Sequence, residues 1–175
     1  DATPAVSDAM LTIDGRTQWR TVLVSGLRGG GRGLFALDVT DPDRFTEASA
    51  DKVVLWEFAR ADLGHVFGRP VIARLNDGRW AAIVGNGYND VGEGQAKLFV
   101  IYLDGGLDGV WGSGDYLVFG VGEKNREDRN GLSAPAVVDL DGNGTADRVY
   151  AGDLKGNLWV FDLCNTTSDG CQASG

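Results

Sequence analysis

Short apolar runs bounded by glycine, aspartate and asparagine recur along the whole chain, and no stretch keeps apolar residues at i, i+3, i+4 and i+7 for long. The pattern predicts an all-β protein. The runs also align with one another. Thr3-Pro4-Ala5-Val6, Arg69-Pro70-Val71-Ile72 and Ala134-Pro135-Ala136-Val137 stand roughly 65 residues apart, the signature of an internal repeat. An aspartate turn follows each: Asp14-Gly15-Arg16, Asp77-Gly78-Arg79, and the longer segment from Asp139 to Asp147. Second strands then end at glycine, in Trp19–Gly26, Trp80–Gly85 and Arg148–Gly152. Third strands match best, as Leu34-Phe35-Ala36-Leu37-Asp38, Leu98-Phe99-Val100-Ile101-Tyr102 and Leu158-Trp159-Val160-Phe161-Asp162. Two repeats show a fourth strand, Val53–Phe58 and Tyr116–Gly120.

Four consecutive strands per repeat predict an antiparallel meander, the blade of a β-propeller. The expected organisation is a single propeller fragment over 1–175, with repeats of about 1–65, 66–130 and 131–175. Closed propellers have about four to eight blades. About three four-stranded blades therefore leave sheet faces and edges that further chain or an associating copy must cover. A β-sandwich of about eleven strands fits the number of runs but not the proline register.

Composition narrows the partners. A chain of 175 residues, 43% of them apolar, can bury one core. With 16 basic and 25 acidic residues the net charge is −9, so a phosphate-tracking surface would have to work against the protein's own field, which argues against nucleic acid. The apolar run Lys97–Leu103 is far short of the roughly 20 residues that cross a bilayer. The chain opens at Asp1-Ala2-Thr3-Pro4, without Met or signal peptide, and reads as a piece of a longer precursor. Cys164 and Cys171 enclose a loop of Asn, Thr, Ser, Asp and Gly, for which a disulfide is preferred over two free thiols, implying an oxidising compartment. A zinc site is not expected, because the lone His65 has no cysteine near it and reads as a packed or turn histidine.

The segment Asp139-Leu140-Asp141-Gly142-Asn143-Gly144-Thr145-Ala146-Asp147 places oxygen side chains at positions 1, 3, 5 and 9 and glycine at position 6. A tight loop with that alternation turns oxygens inward at a hard cation, and position 7, Thr145, would add its backbone carbonyl. The expected ligands of Ca²⁺ are Asp139, Asp141, Asn143, Thr145 and Asp147. The loop departs from an EF-hand in having Tyr150 where a bidentate Glu would stand, and strands as flanks. Asp, Asn and Gly are also ordinary turn residues. The other two repeats, however, make the same connection with a plain Asp-Gly-Arg, so turning the chain does not need three mutually repelling carboxylates. Asp104, Asp108 and Asp115 read as solvated turn residues, and Asn86, Asn89 and Asp90 as residues of left-handed turns.

Three stretches carry a family resemblance. Trp19 to Pro42 (WRTVLVSGLRGGGRGLFALDVTDP), Ile83 to Asn89 (IVGNGYN), and the loop followed by Arg148 to Trp159 (RVYAGDLKGNLW) are together similar to the type IV pilus tip-associated proteins, the PilY/PilC family. The resemblance implies a partial quinoprotein-like propeller in a secreted, non-enzymatic factor at the periplasm, outer-membrane surface or pilus tip. It also implies a role for calcium in pilus extension against retraction, and so in twitching motility and surface adhesion. Pilins or minor pilins, the remaining propeller blades, and a host or abiotic surface are the implied partners. Two other classes stay open: a generic extracellular calcium-stabilised scaffold propeller, and a quinoprotein dehydrogenase. The latter is disfavoured because the chain has no adjacent cysteine pair and no complete ring to hold a quinone.

Overall fold

The computed structural model describes residues 2–88 and 90–164. Their strands form three antiparallel meanders that follow one another along the chain. The first holds β1 (Ala5–Ile13), β2 (Arg16–Gly26), β3 (Leu34–Asp38) and β4 (Val54–Phe58). The second holds β5 (Val71–Arg74), β6 (Trp80–Gly85), β7 (Ala96–Tyr102) and β8 (Tyr116–Val121). The third holds β9 (Ala136–Val138), β10 (Arg148–Gly152) and β11 (Leu158–Asp162). The fold is all-β, a partial propeller of three blades, with β1, β5 and β9 as the first strands of successive blades. The β1–β2 hairpin is the longest, paired from Ala5 opposite Val24 to Ile13 opposite Arg16. Asp14 and Gly15 close it with positive φ at both positions, the geometry that matches strand twist.

The blades pack face to face. Leu11, Val22, Val24, Leu34, Trp56 and Phe58 of the first blade meet Ala82, Val84, Phe99 and Ile101 of the second. On its other side the second blade sets Ile83, Leu98 and Val100 against Leu132, Val149, Ala151 and Phe161. Every residue of β7 is buried, because both its faces are covered, and this explains its apolar run from Leu98 onwards. Phe58 is the aromatic centre of the first junction, edge-on to Trp111 at 4.7 Å and to Phe99 at 5.7 Å.

The blades are also joined by main-chain hydrogen bonds between the segments that lead from one to the next. Gly64 N donates to Asn86 O at 2.8 Å, His65 and Tyr88 exchange bonds, Gly87 N donates to Leu132 O at 3.0 Å, and Leu154 N donates to Gly131 O at 3.1 Å. These backbones lie so close that a Cβ on Gly131 would fall 1.8 Å from the Gly87 carbonyl oxygen. His65 is a packed histidine, its Nδ1 2.6 Å from Arg28 O.

Two expectations need correction here. Asn86 does not take positive φ, and it and Asp90 are both buried. Asn86 is a polar hub. Its Oδ1 accepts from Lys97 N at 3.0 Å and Leu132 N at 2.9 Å, while its Nδ2 donates to Gln95 O at 2.9 Å and Asp62 O at 3.3 Å. Asn89 lies outside the described residues. Asp104 is not merely solvated either, since Arg79 donates to its Oδ1 from Nη2 at 2.6 Å and from Nε at 3.2 Å.

Candidate metal centre

The loop from Asp139 to Asp147 connects β9 to β10, and its oxygens are arranged by its own backbone. Asp139 accepts from Gly142 N through Oδ1 and from Gly144 N through Oδ2, each at 2.7 Å. Asp141 Oδ1 accepts from Asn143 N at 3.0 Å, and Asn143 Oδ1 from Thr145 N at 2.8 Å. Such turn-closing bonds fold the chain back within a few residues, so that alternate side chains converge. Gly144, with φ 85°, supplies a left-handed step that an L side chain rarely takes.

The outcome is one carboxylate oxygen each from Asp139, Asp141 and Asp147, all within 4.8 Å of one another. Asp139 and Asp141 are exposed, whereas Asp147 is 1% exposed. Hydrogen bonds from the Gly144 and Gly142 amides, only partly opposed by desolvation, hold Asp139 below the usual carboxylate range. Among the described residues, no Lys or Arg pairs with Asp139 or Asp141. Three carboxylates gathered in this way form a hard, oxygen-only donor set of the kind suited to a divalent cation such as Ca²⁺.

Asn143 and Thr145 lie in the same loop. Asn143 Nδ2 donates to Asp141 Oδ2 at 2.9 Å, and Thr145 Oγ1 is 2.8 Å from Asn76 Oδ1. Asn76, in the β5–β6 turn of the second blade, is absent from the expected ligand set. Its Nδ2 donates to Ala146 O at 3.1 Å and to Asp147 Oδ1 at 3.3 Å. Only its place before an Asp-Gly turn sets it apart in the sequence, and that does not reveal a contact across about 70 residues. Leu140 N donates to Asp147 Oδ2 at 2.6 Å. Cys164 Sγ lies 3.3 Å from Asp147 Oδ1, so the end of the third blade packs against the loop. Cys171, the other half of the expected disulfide, lies outside the described residues.

Beside the loop a groove of about 430 Å³ is lined by Met10, Trp19, Arg74, Trp80 and Asn143, among others. Trp19 and Trp80 meet edge to face with centroids 6.0 Å apart. Among the described residues, no helix is long and apolar enough to cross a membrane.

Known proteins share both the sequence and the fold. The chain is 43% identical over 170 residues to a Pseudomonas aeruginosa (strain UCBPP-PA14) protein named type IV pilus biogenesis factor PilY1, covering 95% of this chain and 13% of that protein. It is 42% identical over 174 residues to a type IV pilus biogenesis factor PilY1 homolog of Xylella fastidiosa (strain Temecula1), covering 93% of this chain and 11% of that protein. The crystal structure of the Pseudomonas aeruginosa PilY1 C-terminal domain superposes with a TM-score of 0.76 at 40% identity, over 94% of this chain and 30% of that one. The chain thus spans only a small part of the relatives it matches. The family described as the PilY1 beta-propeller domain matches residues 1–173. This chain belongs to the PilY1 β-propeller domain family.

Proposed function

We propose that this chain is a calcium-binding propeller segment of a type IV pilus biogenesis factor and tip adhesin, acting outside the cytoplasm and without catalysis. The convergence of Asp139, Asp141 and Asp147 in a chain of this family is the observation that carries the reading. Asp139, Asp141, Asn143, Asp147 and the Thr145 carbonyl would hold Ca²⁺, whose charge would offset that of the three carboxylates. Asn143 would have to turn its amide, since Nδ2 now faces Asp141. Asp147 reaches from the loop into the body of the blade, so a change at the loop is passed to the start of β10 and to Leu163, whose N donates to Asp147 O at 2.8 Å.

In the intact factor this loop would favour pilus extension over retraction, and so support twitching motility and surface adhesion. Pilins or minor pilins are the expected partners, and the remaining blades of the longer protein would cover the open sheet faces. That chains of this family run far beyond the segment matched here supports the latter point. Cys164 and Cys171 would pin the segment after β11.

The test is Asp147→Ala in the full-length protein, with calcium binding measured by calorimetry and surface piliation and twitching scored in the same strain. Loss of calcium binding with altered piliation is expected. Unchanged piliation and motility, with calcium binding abolished, would leave calcium a structural role in a scaffold propeller and reject the regulatory one.

A further inference from the structure

Asp147 is the loop's buried carboxylate, and a buried charge is costly unless donors or a cation meet it. One of its donors comes from another blade. Asn76 Nδ2 donates to Asp147 Oδ1 and to Ala146 O, and Asn76 Oδ1 faces Thr145 Oγ1. A single amide therefore touches three consecutive residues, two of which would offer ligands. The backbone beside it is tied down as well: Ala146 N donates to Arg74 O at 2.8 Å, and Leu75 bridges Ala146 in parallel.

The turn that carries Asn76 does not itself use this side chain. Asp77 closes it, accepting from Arg79 N at 2.9 Å and from the Tyr102 hydroxyl at 3.0 Å. The first blade makes the equivalent turn with Ile13 before Asp14-Gly15. An amide at this position serves the neighbouring loop, not the hairpin.

We propose that Asn76 is a positioning residue for the divalent-cation site, so that cation binding and the junction of the second and third blades are coupled through it. The proposal rests on the calcium reading of the loop. Asn76 fixes the plane of the Asp147 carboxylate and the course of the chain at the Thr145 carbonyl. Without it both groups must be ordered when the cation arrives, and affinity falls. Linkage is reciprocal, so a cation in the loop strengthens the blade junction by the same factor by which the junction strengthens cation binding.

The experiment uses this chain. Calcium chloride is titrated by calorimetry, and Tb³⁺ luminescence lifetimes in H₂O and D₂O count the waters left on the bound ion. Asn76→Ala should bind calcium about 10- to 100-fold more weakly, the usual effect of removing a partner of a metal ligand. Its Tb³⁺ complex should retain at least one more water than wild type. If Asn76→Ala does not fold, Thr145→Val carries the test, because it removes the hydroxyl facing Asn76 and keeps the ligand carbonyl; weaker binding is again expected. Wild-type binding that Asp139→Ala abolishes, with affinity and water count unaltered in the Asn76 or Thr145 variant, would overturn the coupling alone. A lowered melting temperature with unaltered calcium affinity would do the same. A wild type that takes up neither ion would overturn the calcium reading and the coupling with it.

Discussion

Replacing Asn86 by alanine should be among the most damaging changes in this protein, although the residue touches neither the metal loop nor the surface. Asn86 is fully buried and joins three parts of the chain: the link leaving the first blade at Asp62, the start of β7 at Gln95 and Lys97, and the entry to the third blade at Leu132. Alanine leaves the Lys97 and Leu132 amides without the acceptor they share. Each orphaned buried donor costs about 1–3 kcal/mol, so the pair should cost about 2–6 kcal/mol before any cavity is counted. A natural domain has a total stability of about 5–15 kcal/mol. At roughly 2–4 °C per kcal/mol for a chain of this size, a loss of about 4 kcal/mol lowers the melting temperature by about 8–16 °C. Urea unfolding followed by tryptophan fluorescence, alongside calorimetric melting, measures both quantities. Asn86→Asp should also be destabilising at neutral pH, because it keeps the acceptor atom but turns a carboxylate towards the Gln95 and Asp62 carbonyls. A loss below about 1 kcal/mol for Asn86→Ala would refute the assignment of this residue as the hub of the blade junctions.

Calcium at a hundred times its dissociation constant should stabilise the fold by about 2.7 kcal/mol. Melting in calcium against chelator reads this as a rise of about 5–11 °C, which Asp139→Ala should lack. Gly131→Ala should cost about 1–3 kcal/mol through overpacking against Gly87, whereas Gly29→Ala, with open space around it, should stay within about 0.5 kcal/mol by the same urea assay. Asp153 is an acid-sensitive group: burial opposes its charge, but hydrogen bonds from Asn157, Trp159 and Asn130 hold its carboxyl well below the usual range. A depressed folded value gives stability that is fully present above the ordinary carboxylate pKa of about 3.9 and lost as pH falls towards the folded one. The melting-temperature gap between wild type and Asp153→Asn, measured in chelator, should accordingly close as pH drops below about 4.

Much of the architecture was legible in the sequence because blades are local objects. β3 and β11 fall where their matched runs stand, and the Asp139–Asp147 loop orients Asp139 and Asp141 through bonds spanning two to five residues. The fourth strand of the first blade begins one residue late, at Val54, because Val53 ends a helical turn begun at Ala50. The residues that hold blade to blade were not legible. Asn86 stands next to a glycine and reads locally as a turn residue, yet its decisive partner Leu132 is 46 residues away. Asn76 reaches across about 70 residues. No local pattern encodes such contacts; they exist only once two sheets are stacked in register.

The seams between blades are written in main-chain atoms, and this sets what kind of change the protein can absorb as it diverges. After the second strands of the second and third blades, at Asn86 and Asp153, the chain pairs backbone to backbone with the segment that enters that blade. Side chains that take no part in these seams can change one blade at a time, provided the glycines at the closest approaches remain. Insertions and deletions are different. A residue gained or lost between His65 and Pro70 would put the Gly64 and His65 amides out of step with Asn86 and Tyr88, and a whole blade would have to shift to recover them. Length variation is therefore directed to turns away from the seams, since those can lengthen without altering how one blade meets the next.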